Sequence, residues 1–290
     1  MWPRTEGCQH ETERGARGLT QARRTVAVAA LALVVLGSDV KHDSAAALAE
    51  SRAPGKPAAD GATRARTRGL DELVDRNQPG IDLVRGWIRA AKNPVEELRV
   101  DRADGERALV ALQVTSRSPM GAIALETGGL LVDHGWIRVL GAGHKRLPRS
   151  IHEWNGLVRG SSQRLPGTIL VGDDVLGGFF AVNGGGLKGA MGHVFYYSPQ
   201  SLAWEDVAPS YSEWLVGMMN SDLEAFYKGL RWPGWRREVQ PLTGDRGISV
   251  YPFLFASGED ISKRSRRPVP LRELWTLLVE EVPRQLGRAR

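Results

Sequence analysis

The chain is short of the residues that would declare a chemistry. Its 290 residues include a single cysteine, Cys8, so no intramolecular disulfide can form and no paired-cysteine zinc site can be built. The longest apolar run, AVAALALVVLG over 27–37, is well below the about 20 residues that span a bilayer. Neither sign of charge dominates. Residues 1–66 hold ten Lys/Arg against seven Asp/Glu, and residues 67–290 hold twenty-nine against twenty-six. So dilute an excess excludes the basic stripe of a nucleic-acid binder. No G-x-x-x-x-G-K-S/T, H-E-x-x-H or G-x-S-x-G pattern occurs, which leaves P-loop, zinc-protease and serine-hydrolase chemistry without an anchor. What is present is core material: 42% apolar residues, with nine Trp, six Phe and five Tyr.

The first sixty-six residues differ from the rest. Arg23-Arg24 precede the apolar run at 27–37, and Ala45, Ala47 and Ala49 follow it at the spacing of small residues that signal peptidase uses. This is the outline of a secretory signal with a twin-arginine-like start. Export is the favoured location and the cytoplasm the alternative; residues 1–49 fit a signal peptide or a disordered tail. Residues 50–68 are rich in Ala, Pro, Gly and Arg without apolar periodicity, the composition of a linker. A single domain is expected over 69–290, with no integral membrane segment.

Within it, Ile81, Val84, Trp87, Ile88 and Ala91 recur at helical spacing, and Asn93-Pro94 stops the pattern. A second helix is expected over Asp104–Gln113, behind Asp101. The period then changes. Met120–Glu126, Leu130–Val132, Trp136–Leu140, Thr168–Gly172, Gly178–Val182, His193–Tyr197, Trp204–Val207 and Gly247–Phe255 are short apolar runs between Gly- and Asp-rich turns. They read as antiparallel strands, with Pro252 marking an edge or a bulge. Ser210 or Ser212 can cap a helix over Tyr211–Met219, and Leu271–Val282 is a last amphipathic helix. Helices, then strands, then helices define an α+β fold with a mainly antiparallel sheet. The stretch 141–167 carries three further Gly, two Pro and several charges between its glycine ends, and predicts a long loop of the kind that often carries function.

Several clusters could carry chemistry. GGGLKG (184–189) satisfies G-x-G-x-x-G, but the strand-like run after it predicts a hairpin loop instead of a phosphate-binding helix start. Asp173-Asp174 stand at a strand end, where solvated turn carboxylates are expected; convergence on a ligand would require the chain to turn there, since adjacent strand residues face opposite ways. His134, His144 and His152, with Asp133 and Glu153, fall close in sequence without a zinc spacing. No metal or cofactor is expected. Trp232-Pro233-Gly234-Trp235 can fold over a core edge or present a surface, and Trp and Arg are enriched in binding hot spots.

The phrases at 112–155, 171–186 (VGDDVLGGFFAVNGGG), 192–215 (GHVFYYSPQSLAWEDVAPSYSEWL), 226–235 (FYKGLRWPGW) and 249–255 (SVYPFLF) together closely resemble a bacterial family, the domain of unknown function numbered 2625. Its members typically open near the equivalent of Leu70-Asp71-Glu72-Leu73, so residues 1–66 lie outside the resemblance. The GG-F strand with Asn183, the G-x-V-x-Y strand and the Ser-x-x-Glu-Trp-Leu helix (210–215) are also similar to the SUKH superfamily. That similarity implies a SUKH-like α+β binding protein of the immunity type, without a catalytic centre, whose partner is a protein such as a co-encoded toxin.

The sequence therefore favours a non-enzymatic protein-binding module, with Asp173, Asp174, Asn183, Trp204, Trp232 and Trp235 as contact candidates. The alternatives are an exported hydrolase or lyase, using Asp133, His134 or Asp174 as acid or base with 141–167 as a lid, and a purely structural role.

Overall fold

The computed structural model describes residues 66–287. The signal, tail and most of the linker expected from the sequence lie outside them. The chain opens with α1 (Leu70–Leu73), α2 (Gly80–Ala90), β1 (Val95–Leu98), α3 (Arg102–Leu112) and α4 (Pro119–Glu126). A meander follows: β2 (Gly129–Val132), β3 (Ile137–Leu140), α5 (Ile151–Trp154), β4 (Thr168–Asp174), β5 (Phe179–Asn183), β6 (Val194–Ser198) and β7 (Ala203–Ala208). Then come α6 (Tyr211–Asn220), α7 (Leu223–Phe226), α8 (Trp235–Val239), the hairpin β8 (Arg246–Tyr251) and β9 (Ser265–Pro270), α9 (Leu271–Trp275), a π-type stretch Thr276–Glu281 and α10 (Val282–Gln285).

Strands β1 to β7 form one sheet in chain order, every neighbour antiparallel. The fold is α+β, as the patterning implies. Helices cover both faces, so the inner strands are apolar on both sides. On one face Phe180 meets Trp214 of α6, with ring centroids 5.2 Å apart. A Cβ at Gly172 would come within 3.1 Å of the same indole, so only glycine lets α6 lie this close. On the other face Phe179 packs edge-on against Trp275 at 4.9 Å, and the Tyr197 hydroxyl donates to the Leu278 carbonyl.

Three expectations need correction. Met120–Glu126 is helical: Ser118 accepts from the Gly121 amide, Pro119 takes the first helical position, and Gly121 through Leu125 are all buried. A helix apolar all round has no stripe to separate it from a buried strand. The run Gly247–Phe255 leaves its ladder after Tyr251, where a cis Tyr251–Pro252 peptide begins a loop. The stretch 141–167 is pinned: Ala142 and Gly143 bond back to Thr127 and Gly128, Ile151 bonds to Gly141, and α5 sits within it. The GGGLKG segment is a hairpin loop between β5 and β6, with no helix after it.

Candidate functional site

The β2–β3 turn holds Asp133, His134 and Gly135 with φ of 49°, 59° and 83°; the Trp136 amide donates to the Asp133 carbonyl, so His134 and Gly135 are the left-handed central pair of a tight turn. The turn lies against the segment that carries the Trp pair. Arg231 joins them. Its Nη2 is 2.5 Å from an Asp133 carboxylate oxygen and its Nη1 is 2.7 Å from Glu224. Its guanidinium stacks on Trp136, Tyr227 and Trp235 at 4.8, 5.3 and 4.5 Å from the ring centres. Arg231, Asp133 and three of these rings are buried, so the cation–π contacts act in a desolvated site. His134 is exposed and lies edge-on to Trp235 at 6.3 Å.

Trp232 is buried beside Trp136, and its Nε1 donates to Glu238 at 2.7 Å. Arg266 of β9 lies over the Trp232 ring at 4.7 Å, with its Nε 3.8 Å from Glu238. The Arg266 Nη1 donates to the carbonyls of Ile261, Ser262 and Arg264. Trp232 therefore underlies the β8–β9 loop through Arg266.

Asp173 and Asp174 face opposite sides of β4, and both are 0% exposed. The solvated-turn expectation for this pair is overturned. Asp173 pairs directly across the ladder with Arg138. It takes Arg138 Nε on one oxygen and Arg149 Nη2 on the other, each at 2.7 Å. Two desolvated guanidinium groups tolerate burial because they share one carboxylate. They also reach the chain entering β8: Arg138 donates to the Arg246 carbonyl and Arg149 to that of Gly244. Asp174 does keep a turn role. One oxygen accepts from the amides of Leu176 and Gly178, and the other accepts from the Tyr196 hydroxyl at 2.7 Å. Burial pushes the Asp174 carboxyl above the usual carboxylate range, against the lowering effect of those hydrogen bonds.

Asn183, also buried, ties the GGGLKG loop together. Its oxygen accepts from Gly185 and Leu187, and its amide donates to the carbonyls of Leu187, Gly189 and Ala190. Trp204 is half-buried on the outer strand β7, edge-on to Tyr197 at 5.2 Å. The structure thus brings Asp133, His134, Trp232 and Trp235 together and leaves Asn183 and Trp204 elsewhere. Among the described residues no group of three or more His, Cys, Asp or Glu is placed to hold a metal.

The surface that this framework carries was not anticipated. After Tyr251 the chain displays Tyr251, Phe253 and Phe255 as a ladder: Tyr251 edge-on to Phe253 at 5.8 Å, and Phe253 stacked on Phe255 at 5.2 Å. Tyr251 is 65% exposed, and both Phe rings are half-buried. Arg264 holds the crest in shape by donating to the carbonyls of Pro252, Phe253, Ala256 and Glu259. Beside it runs an apolar crevice lined by Leu176, Pro199, Ile248, Phe253, Leu254 and Leu277. The signal in the sequence was Y-P-F-L-F: alternating aromatics that continue past a proline unsuited to a paired strand.

These features define an α+β protein with a sequential antiparallel sheet, with Asp133, Asp173 and Asp174 buried against their partners and an aromatic crest at the surface. The chain belongs to the family described as "Protein of unknown function DUF2625", which matches residues 70–274. It is similar to the uncharacterised protein YbfG of Escherichia coli (strain K12), 38% identical over 210 residues that cover 72% of this chain and 95% of YbfG. It is also similar to an uncharacterised protein of Haemophilus influenzae, 43% identical over 186 residues covering 64% of this chain and 82% of the relative. No solved structure matches the chain.

Proposed function

We propose that this protein is a non-enzymatic protein-binding module and that its partner seats on the crest Tyr251–Phe253–Phe255. The observation that carries this reading is the contrast between an exposed aromatic surface and the machinery fixing it. Leu83 and Met191 are also exposed, yet each is an isolated apolar side chain, which is ordinary on a soluble surface. The crest is contiguous, flanked by a crevice and stitched by Arg264, so little ordering entropy is lost when a partner binds. An immunity-type role against a co-encoded toxin is a narrower form of the same reading.

The hydrolase or lyase alternative has less support. Asp133 is occupied by Arg231, Asp174 points into the covered sheet, and the 141–167 stretch expected to act as a lid is bonded to the core. Trp232 supports the β8–β9 loop through Arg266, and Asp173 holds the chain entering β8 through Arg138 and Arg149, whereas Trp204 stays open as a separate contact.

The test is affinity capture of the tagged full chain from cells that produce it, comparing wild type with Tyr251→Ala. A protein recovered in stoichiometric amount with wild type and lost with the variant is expected. Capture that ignores Tyr251, in a variant with unchanged melting temperature, would overturn the assignment of the surface.

A further inference from the structure

Resting on the crest being a binding surface, we infer that its partner is an acidic linear peptide segment carrying an apolar anchor. The argument is one of shape and charge. The β8–β9 register pairs Ser249 with Arg267 and Tyr251 with Ser265, and directly paired residues share a face. Arg267 therefore stands on the face of Tyr251 and Ser249, opposite the buried Ile248 and Val250, and it is exposed. Lys263 is exposed on the same return segment.

The segment 263–267 carries four cations: Lys263, Arg264, Arg266 and Arg267. Arg264 spends its donors on backbone carbonyls, which neutralise none of its charge. Arg266 likewise gives Nη1 to carbonyls, and Glu238 stands 3.8 Å from its Nε. The loop's own carboxylates, Glu259 and Asp260, offset part of this charge. Hydrogen bonds from Ser262, and then the charges of Lys263 and Arg264, hold the Asp260 carboxyl down, and residues 259–267 keep four cations against two carboxylates. A partner lying along β9 thus meets an excess of positive charge beside the exposed Tyr251 ring. Carboxylates flanking an apolar side chain that packs on that ring complement both features.

A lipid surface fits less well. Anionic membranes are held by clusters of about four to eight Lys/Arg, and the four cations here are partly offset by Glu259 and Asp260 in the same loop. The crevice has room for little more than a water molecule, so it would take no acyl chain.

The experiment is selection of random linear peptides displayed on phage against the immobilised full chain. Peptides enriched on wild type are re-measured by fluorescence anisotropy on Arg267→Glu, Lys263→Glu and Tyr251→Ala, each first checked for an unchanged melting temperature. Phosphatidylserine vesicles serve as the competing surface. The expected result is an apolar residue flanked by Asp or Glu, with affinity falling about tenfold on either charge reversal and lost with Tyr251→Ala. Neutral or basic peptides that still require Tyr251 would overturn the acidic partner while leaving the crest a binding surface. Peptides indifferent to Tyr251, or no enrichment, would overturn both. Vesicle binding without peptide enrichment would overturn the inference in favour of a lipid surface.

Discussion

Arg266 and Trp232 are the joint between the buried aromatic stack and the exposed crest. The guanidinium lies 4.7 Å from the ring centre, while its Nη1 fixes three carbonyls of the loop that leads into β9. One side chain thus reads the packing of the core and sets the backbone of the candidate interface. Arg266→Ala should cost about 2 kcal/mol, from the lost cation–π contact and the released carbonyls. Hydrogen exchange should quicken over 252–264 more than in the central strands. Uniform exchange across the molecule would show that the joint does not exist.

The Asp133–Arg231 pair is a buried ion pair, and its two halves should not be independent. Arg231→Met strands a desolvated carboxylate and is expected to destabilise by about 3 kcal/mol or more. Adding Asp133→Asn should recover part of that loss. A double-mutant cycle from urea unfolding reads the coupling, and strictly additive effects would contradict the pairing.

Asp173 should behave more severely. It is the shared carboxylate of Arg138 and Arg149, and Asp173→Asn leaves two buried cations without a counter-charge. A loss of about 3–5 kcal/mol is expected, together with loosening of the start of β8, which both arginines hold through the carbonyls of Gly244 and Arg246. Wild-type stability in this variant would show that the cluster is not structural.

His152 sets a pH dependence. Burial depresses its imidazole below the ordinary value, and Arg107 pushes the same way against Glu153 and Asp104. The folded state therefore resists the proton that the unfolded chain accepts. Stability from this group is complete above the unfolded value of about 6.5 and falls as the pH drops below it toward the folded value. Urea midpoints of wild type and His152→Gln should converge as pH is lowered from about 7 to about 5. Parallel curves would mean that the group is not buried in solution.

Much of the architecture was legible because strand runs and turns alternate plainly after residue 128. The Trp204–Val207 run and the Ser210 cap fall where the residues put them. The site was harder to see. Asp173-Asp174 looked like turn residues, and Asp174 is one, but the burial of Asp173 depends on Arg138 and Arg149, 35 and 24 positions away, and that of Asp174 on Tyr196, 22 positions away. Trp232 and Trp235 were recognised as a cluster. Their inward packing is set by Arg231 and Arg266, cations whose partners no local spacing reveals. The crest was hidden by its own composition, since a half-buried aromatic ladder on a loop reads as one more strand.

The central claim is that partners meet this protein at the crest. The most direct measurement places a photo-crosslinking phenylalanine analogue at position 251 of the full chain in producing cells, with the same analogue at positions 83 and 191 as exposed controls. The account predicts a discrete crosslinked protein adduct from position 251 and none of that mass from the controls. Adducts from 83 or 191 without one from 251, or no adduct above background at 251, would contradict it.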